Sequence, residues 1–217
     1  MTFLKFTRRG VVAAIAGFAA AFGVTGAMAE DDLATQAEAY VQSALDEVVT
    51  ALSIEDEATK RAKLRELVEK YIDTRRVALS TLGAYRRQAA PEQLKEFVPL
   101  FKEYAIALYE DQIINYGGES FKVTGSLVRS ERDVIVNSKV IGGAEFDGTV
   151  VQWRVYARDG ELSVVDVGAE NIWLGVEQRS QFSSFIANNG GGQRGVQALI
   201  ADLQTRVASA ETAGDAS

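Results

Sequence analysis

Asp166 and Glu170 stand four residues apart behind an apolar strand, a spacing at which two carboxylates can act as acid and base. Tyr104 or Tyr156 beside Asp166 would complete an isomerase- or dehydratase-type site. The same carboxylates suit turn and helix-cap duty, the commoner use of acids at loop ends. Arg75 and Arg76 in "DTRR", with Arg86 and Arg87 in "AYRRQ", carry the forked donors of phosphate recognition, or else form a solvated helix face. Gly190 to Gly192 has no lysine after it and suits a hinge or linker. What is missing narrows the chemistry further. The chain has no His and no Cys, and its two methionines, Met1 and Met28, both fall in the N-terminal segment considered next. This excludes triads with a His base, thiol nucleophiles and nearly all zinc, copper, haem and iron–sulfur ligation.

In the first 29 residues, Lys5, Arg8 and Arg9 precede an uncharged run from Gly10 to Met28 that ends in Ala27-Met28-Ala29. A basic head, an apolar middle and an A-x-A end are the layout of a cleaved export signal. The run is too rich in Ala and Gly for a permanent span of about 20 strongly apolar residues. Export by the general secretory or the twin-arginine route is open, because Arg8-Arg9 fits the latter pattern loosely. Removing residues 1–29 takes three basic side chains and no acid, leaving 188 residues with a charge near −10. Such a chain is no general nucleic-acid binder, since that work needs clustered Lys and Arg against phosphate.

The elements that must position these groups fall into two halves. Leu33, Ala37, Val41, Ala44, Leu45, Val48, Val49 and Leu52 recur at helical spacing over 33–54, and Leu64, Leu67, Val68 and Tyr71 do so over 57–71. A short apolar helix follows over 77–85, then one from Pro91 to Asn115, which Pro99 is expected to kink or divide and Gly117-Gly118 to end. The period then changes to two. Phe121, Val123 and Leu127 are expected on one strand face, Val134, Val136 and Val140 on another, and Val151, Trp153 and Val155 on a third strand turned by Asp159-Gly160. In the next strand Leu162 and Val164 share one face while Val165 and Val167 share the other, so a bulge or two-sided burial is expected. A helix opens near Gly175 and carries Phe182, Phe185 and Ile186. A last helix carries Val196, Leu199, Ile200, Leu203 and Val207, and residues 211–217 read as a disordered tail. Helices followed by a strand meander make an α+β fold with helices packed on one sheet face.

The helix from Pro91 is more apolar than one sheet face requires. Phe97, Phe101, Tyr104, Ala105, Leu108 and Ile113 form one stripe, widened by Val98, Leu100, Ile106, Tyr109 and Ile114, and the sheet face of Val136, Trp153 and Val155 is expected across from it. A filled core and a hollow pocket for an apolar ligand are lined by the same residue types, so periodicity leaves both open.

Two segments add a family likeness. "ALSTLGAYRRQAAPEQLKEFVPLFKEYAIALYEDQIINYGGESFKV" (78–123) and "VQWRVYARDGELSVVDVGAENIWLGVEQRSQFSSFI" with "GVQALIADL" resemble the MlaC, or toluene-tolerance auxiliary component, family over about 80 to 90 residues. Two departures stand out: Ala90 replaces the Ser or Thr before the helix-starting proline, and Asn171-Ile172-Trp173 replaces Gly-Val-Ser after the last strand. The resemblance implies an NTF2-like curved antiparallel sheet with packed helices enclosing an apolar cavity. It implies a single domain over 30–210, with a helical hairpin at 33–71, helices at 76–118, the sheet at 120–168 and C-terminal helices at 175–210. It further implies a periplasmic phospholipid carrier without cofactor. Its partners would be an outer-membrane lipoprotein complex and an inner-membrane ABC transporter with an MCE-domain ring, and its role the maintenance of outer-membrane lipid asymmetry. Some relatives are associated with hopanoids, so a polycyclic cargo is the alternative. On this reading Leu82, Phe97, Phe101, Tyr104, Leu108, Val136, Trp153 and Val155 line the cavity. The rival classes are the acid/base enzyme above and an interaction module with a filled core.

Overall fold

A computed structural model describes residues 24–114, 120–142, 147–169 and 172–214. Outside these lie most of the leader, Gly117, Gly118, Glu170, Asn171 and residues 215–217, together with the side chains of Tyr109, Ile113 and Ile114. In chain order come α1 (Val24–Leu52), α2 (Glu57–Tyr71), α3 (Thr74–Thr81), a 3-10 helix (Gly83–Arg87) and α4 (Pro91–Ile114). They are followed by β1 (Ser120–Ser130), β2 (Asp133–Ile141), β3 (Val150–Arg158), β4 (Glu161–Ala169), β5 (Ile172–Trp173), α5 (Leu174–Asn188) and α6 (Gly192–Gly214).

The helix starts follow from short acceptor side chains. Asp56 accepts Thr59 N–H at 2.8 Å and Asp73 accepts Arg76 N–H at 2.8 Å, each satisfying an amide that the first turn leaves free. At α4 the cap residue is Ala90, yet Gln93 Oε1 accepts Ala90 N–H at 3.0 Å, so half of a capping box survives. The other end of that carboxamide donates to Gln193 O at 2.8 Å and Gln197 Oε1 at 3.1 Å, tying α4 to α6. α4 runs through Pro99 as one helix. α6 continues to Gly214, into the segment expected to be a tail, where Ser209 and Thr212 return their hydroxyls to Thr205 O and Ala208 O.

The sheet is an antiparallel meander in the order β1-β2-β3-β4-β5. Asp159 and Gly160 both take positive φ, 54° and 83°, which makes the β3–β4 connection a two-residue turn of the kind that matches strand twist. Register corrects one expectation. Val123 faces Ser138 and Gly125 faces Asn137, so Thr124 is an extra residue in β1, and Gly125 takes a φ of 138° beside it. The bulge reverses the inside–outside phase beyond it. Phe121, Val123 and Val128 therefore pack inward, while Leu127 is 60% exposed rather than in the core. The bulge expected in β4 is present at Val165, between the pairs Arg154–Asp166 and Val155–Val164, and both Val164 and Val165 are buried.

Packing corrects a second expectation. Among the described residues the cluster on the apolar sheet face includes no side chain of α4; that face packs on α1, where Ala37, Val41 and Leu45 close on Val134, Val136, Val155 and Val164. Alternation specifies which face of a strand is apolar but not which helix covers it. α1 is further registered to β1 by Gln42, which accepts Val123 N–H at 2.9 Å and donates to Phe121 O at 3.2 Å. Ala51, Leu64, Leu67 and Tyr71 join α2 to α1 in a smaller cluster. α3, α4, α5 and α6 form a separate helical layer around Leu82, Phe97, Phe101, Phe182, Ile186, Leu199, Ile200 and Leu203. α5 and α6 touch closely at Gly195, where a Cβ would lie 2.3 Å from Ile186 O.

Candidate functional site

Two apolar stripes in the helical layer face each other. On α4, Phe97, Phe101, Tyr104 and Leu108 follow at steps of four, three and four, so they share one side of the helix. On α5, Gly175, Gln178, Phe182 and Ile186 make the buried side. Phe182 joins the two helices through its ring. Its centroid lies 6.1 Å from Phe97, 6.2 Å from Phe101 and 6.1 Å from Tyr104, with the two Phe contacts edge-on at 79° and 86°. Leu82, fully buried beneath α3, completes this cluster.

Burial falls off along α4: Phe97 is wholly buried, and Leu108, three turns on, is exposed. On α5 the buried side runs on to Gly175 at the first turn, with exposed Leu174 and Val176 flanking it. In β1, Ser120 pairs with Ile141 at one end of the sheet, and α5 follows β5, whose Ile172 pairs with Ala169 and so continues the row of Val151 and Ser138. Exposed Ile141, Val150, Ile172, Leu174 and Val176 lie at this end or directly after it. Trp173, at the departure from the family pattern, stacks on Gly168, where a Cβ would come within 3.1 Å of the indole.

The eight residues singled out in the sequence thus do not form one group. Leu82, Phe97, Phe101 and Tyr104 share the helical cluster, with Leu108 at its exposed end. Val136 and Val155 are buried against α1, and Trp153 packs beside them with its Nε1 donating to Ser138 Oγ at 2.9 Å. Phe182 and Gln178 stand on the buried side of α5 and were not among the eight residues singled out in the sequence. The available signal was a lone polar residue at helical spacing between Leu174 and Phe182.

Glu170 lies outside the described residues, and the other acid/base candidates are otherwise engaged. Asp166 Oδ1 accepts Gly175 N–H at 2.9 Å and Val167 N–H at 3.0 Å, which is loop and helix-start duty. Its carboxyl is raised above the ordinary value mainly by burial, against the pull of those two amides and of Arg154 and Arg179. Tyr156 lies under the Arg76 guanidinium at 3.7 Å, and its hydroxyl is lowered, first by the hydrogen bond with Arg76. Tyr104 belongs to the aromatic cluster instead. Arg76 is thereby occupied on Tyr156, while Arg75, Arg86 and Arg87 are exposed. Arg154 grips Asp133 through two bonds of 3.0 and 2.7 Å, a structural fork across the outer sheet face.

Among the described residues no helix is long and apolar enough to cross a membrane. In solved structures, a phospholipid-binding protein from Ralstonia solanacearum in complex with a phospholipid shares the fold, with a TM-score of 0.69. It is 24% identical, and the match covers 81% of this chain and 98% of that one. The toluene tolerance protein ttg2D of Pseudomonas putida is 29% identical over 108 residues, 49% of each chain, so the match spans about half the length of that relative. The family model described as "MlaC protein" matches residues 38–205, well over half of the 217 residues. The chain therefore belongs to the MlaC protein family.

Proposed function

We propose that this protein is a periplasmic phospholipid carrier, with acyl chains seated against the α4–α5 wall and the head group at the exposed end of the sheet. The observation that carries the reading is the α4 stripe, which passes from the closed core at Phe97 to exposed Leu108, with the exposed aliphatic Leu174 and Val176 flanking the start of α5. Membership of the MlaC family and the fold shared with a phospholipid-bound protein support it. Phe101, Tyr104, Leu108 and Phe182 are the lining residues of this proposal, with Leu82 and Phe97, both wholly enclosed, as the packed core behind them. Val136, Trp153 and Val155 are better explained as the core beneath α1. Binding is physical, because each buried CH₂ contributes about 0.8 kcal/mol and two long chains supply ample affinity without a covalent step or cofactor.

On the same reading the leader is removed after Ala29, and the carrier passes lipid between an outer-membrane lipoprotein complex and an inner-membrane ABC transporter with an MCE-domain ring. Family membership supports this part of the proposal. The test is native mass spectrometry of protein purified from a periplasmic extract, followed by lipid extraction. A stoichiometric phospholipid is the expected result. A polycyclic lipid would keep the carrier and change its cargo. Protein that arrives empty and takes up nothing from phospholipid vesicles would overturn the reading.

A further inference from the structure

Gln178 lies on the buried side of α5, one turn after Gly175 and one turn before Phe182, and is 8% exposed. Its Nε2 is fully enclosed and has no hydrogen-bond partner among the described residues. Buried amide donors are almost always paired, because an enclosed N–H that has lost water and gained nothing destabilises the fold. A leucine or methionine would suit the position between two core residues better. The unpaired donor therefore points to an acceptor that comes from outside the chain.

Position selects the chemistry of that acceptor. Leu174, one turn nearer the α5 N-terminus, is exposed, and Phe182, one turn further in, is buried among the α4 rings. A helical turn rises about 5.4 Å, so Gln178 stands about that far along α5 from exposed Leu174, while Gly175, on its own side of the helix, is buried against the Asp166 carboxylate. A charged phosphate drawn to this depth would lose its water, at large cost for an ion. The uncharged polar atoms that follow the phosphate in a glycerolipid are the ester carbonyl oxygens, and a neutral carboxamide donor matches them. Resting on the carrier reading above, we propose that Gln178 Nε2 donates a hydrogen bond to an ester carbonyl oxygen of the bound glycerolipid and so fixes the depth at which the acyl chains begin.

The test compares two lipids on two proteins. Delipidated wild type and Gln178→Met are loaded, in competition, with dipalmitoyl phosphatidylglycerol and with its dialkyl ether analogue, which has the same head group and chain length but no ester carbonyl. Wild type is expected to prefer the ester by between about twofold and tenfold, the range of one net hydrogen bond. Gln178→Met is expected to bind the two equally. The same variant, empty, is expected to melt about 3 °C higher than wild type, since an enclosed unpaired donor is gone. Wild type without ester preference, or a Gln178→Met protein that keeps it, would overturn the proposal while leaving the carrier intact. A variant that melts lower would show that the amide already has a partner within the fold, and would overturn it too. Wild type that binds neither lipid would remove the carrier reading itself.

Discussion

Replacing Phe182 by Ala removes a ring that joins α5 to three aromatic residues of α4. The side chain is 5% exposed, and its centroid lies 6.1 to 6.2 Å from those of Phe97, Phe101 and Tyr104. Phe→Ala in a closed core costs about 3–5 kcal/mol. The two edge-on contacts, each about 0.5–1.5 kcal/mol beyond simple burial, put this site at the upper end, about 4–5 kcal/mol. For a chain of this length each kcal/mol corresponds to about 2–4 °C, so the delipidated variant is expected to melt about 8–20 °C below wild type by calorimetry. A second scan after loading with phospholipid tests the wall itself. An acyl chain lying against Phe182 can enter the vacated volume, so the loaded variant should recover several degrees more than lipid adds to wild type. A loss below about 3 °C in the delipidated protein would refute the packing argument. Equal losses with and without lipid would refute the contact between cargo and this wall.

Gly195→Ala is expected to destabilise by about 3 kcal/mol or more, because its Cβ would stand 2.3 Å from Ile186 O and 2.7 Å from Ile186 Cγ2 and force α5 from α6; denaturant unfolding checks this. Leu108→Glu, at an exposed position, should leave the melting temperature of the empty protein within about 2 °C while sharply reducing the lipid that co-purifies. Leu127→Thr should change stability by less than about 0.5 kcal/mol, since the bulge turns this residue outward; a loss of 2 kcal/mol would refute the register. Glu47, Asp56 and Glu69 are held below their ordinary values, first by hydrogen bonds from Lys70, Thr59 and Lys102 respectively. Lowered folded-state values add stability that is present above the unfolded values, 4.5 for Glu and 3.8 for Asp, and is lost as the pH falls through the folded ones. Melting temperature is therefore expected to drop as the pH falls below 4.5, less steeply in Glu47→Gln, with the raised Asp166 opposing the trend.

Local chemistry made much of this fold readable. Asp159-Gly160 declared its turn, and the conflict between Val164 and Val165 announced a bulge because no single register buries both on one face. Leu127 shows where pattern fails: an extra residue at Thr124 inverts the faces beyond it, and polar Thr-Gly-Ser gives no hydrophobic contrast by which to notice the inversion. The choice of α1 over α4 as the sheet's cover was equally hidden, since both helices carry an apolar side and the sheet would accept either. The candidate site was half legible. Phe97, Phe101 and Tyr104 were legible as one buried cluster because their stripe was long and aromatic, whereas Gln178 was passed over because polar residues are not sought in a core.

The carboxamide of Gln42 has a consequence for how this protein keeps to itself. β1 is the first strand of an open sheet, and an open sheet ends in backbone amides and carbonyls that another chain's strand can zip onto. Gln42 offers β1 one acceptor and one donor at the spacing of a neighbouring peptide group, taken up by Val123 N–H and Phe121 O. α1 thus behaves as a counterfeit strand at the point of attack. Gln42 occupies two of the backbone groups along this border, and α1 packs over the strand that carries them, leaving less of the edge for a foreign strand.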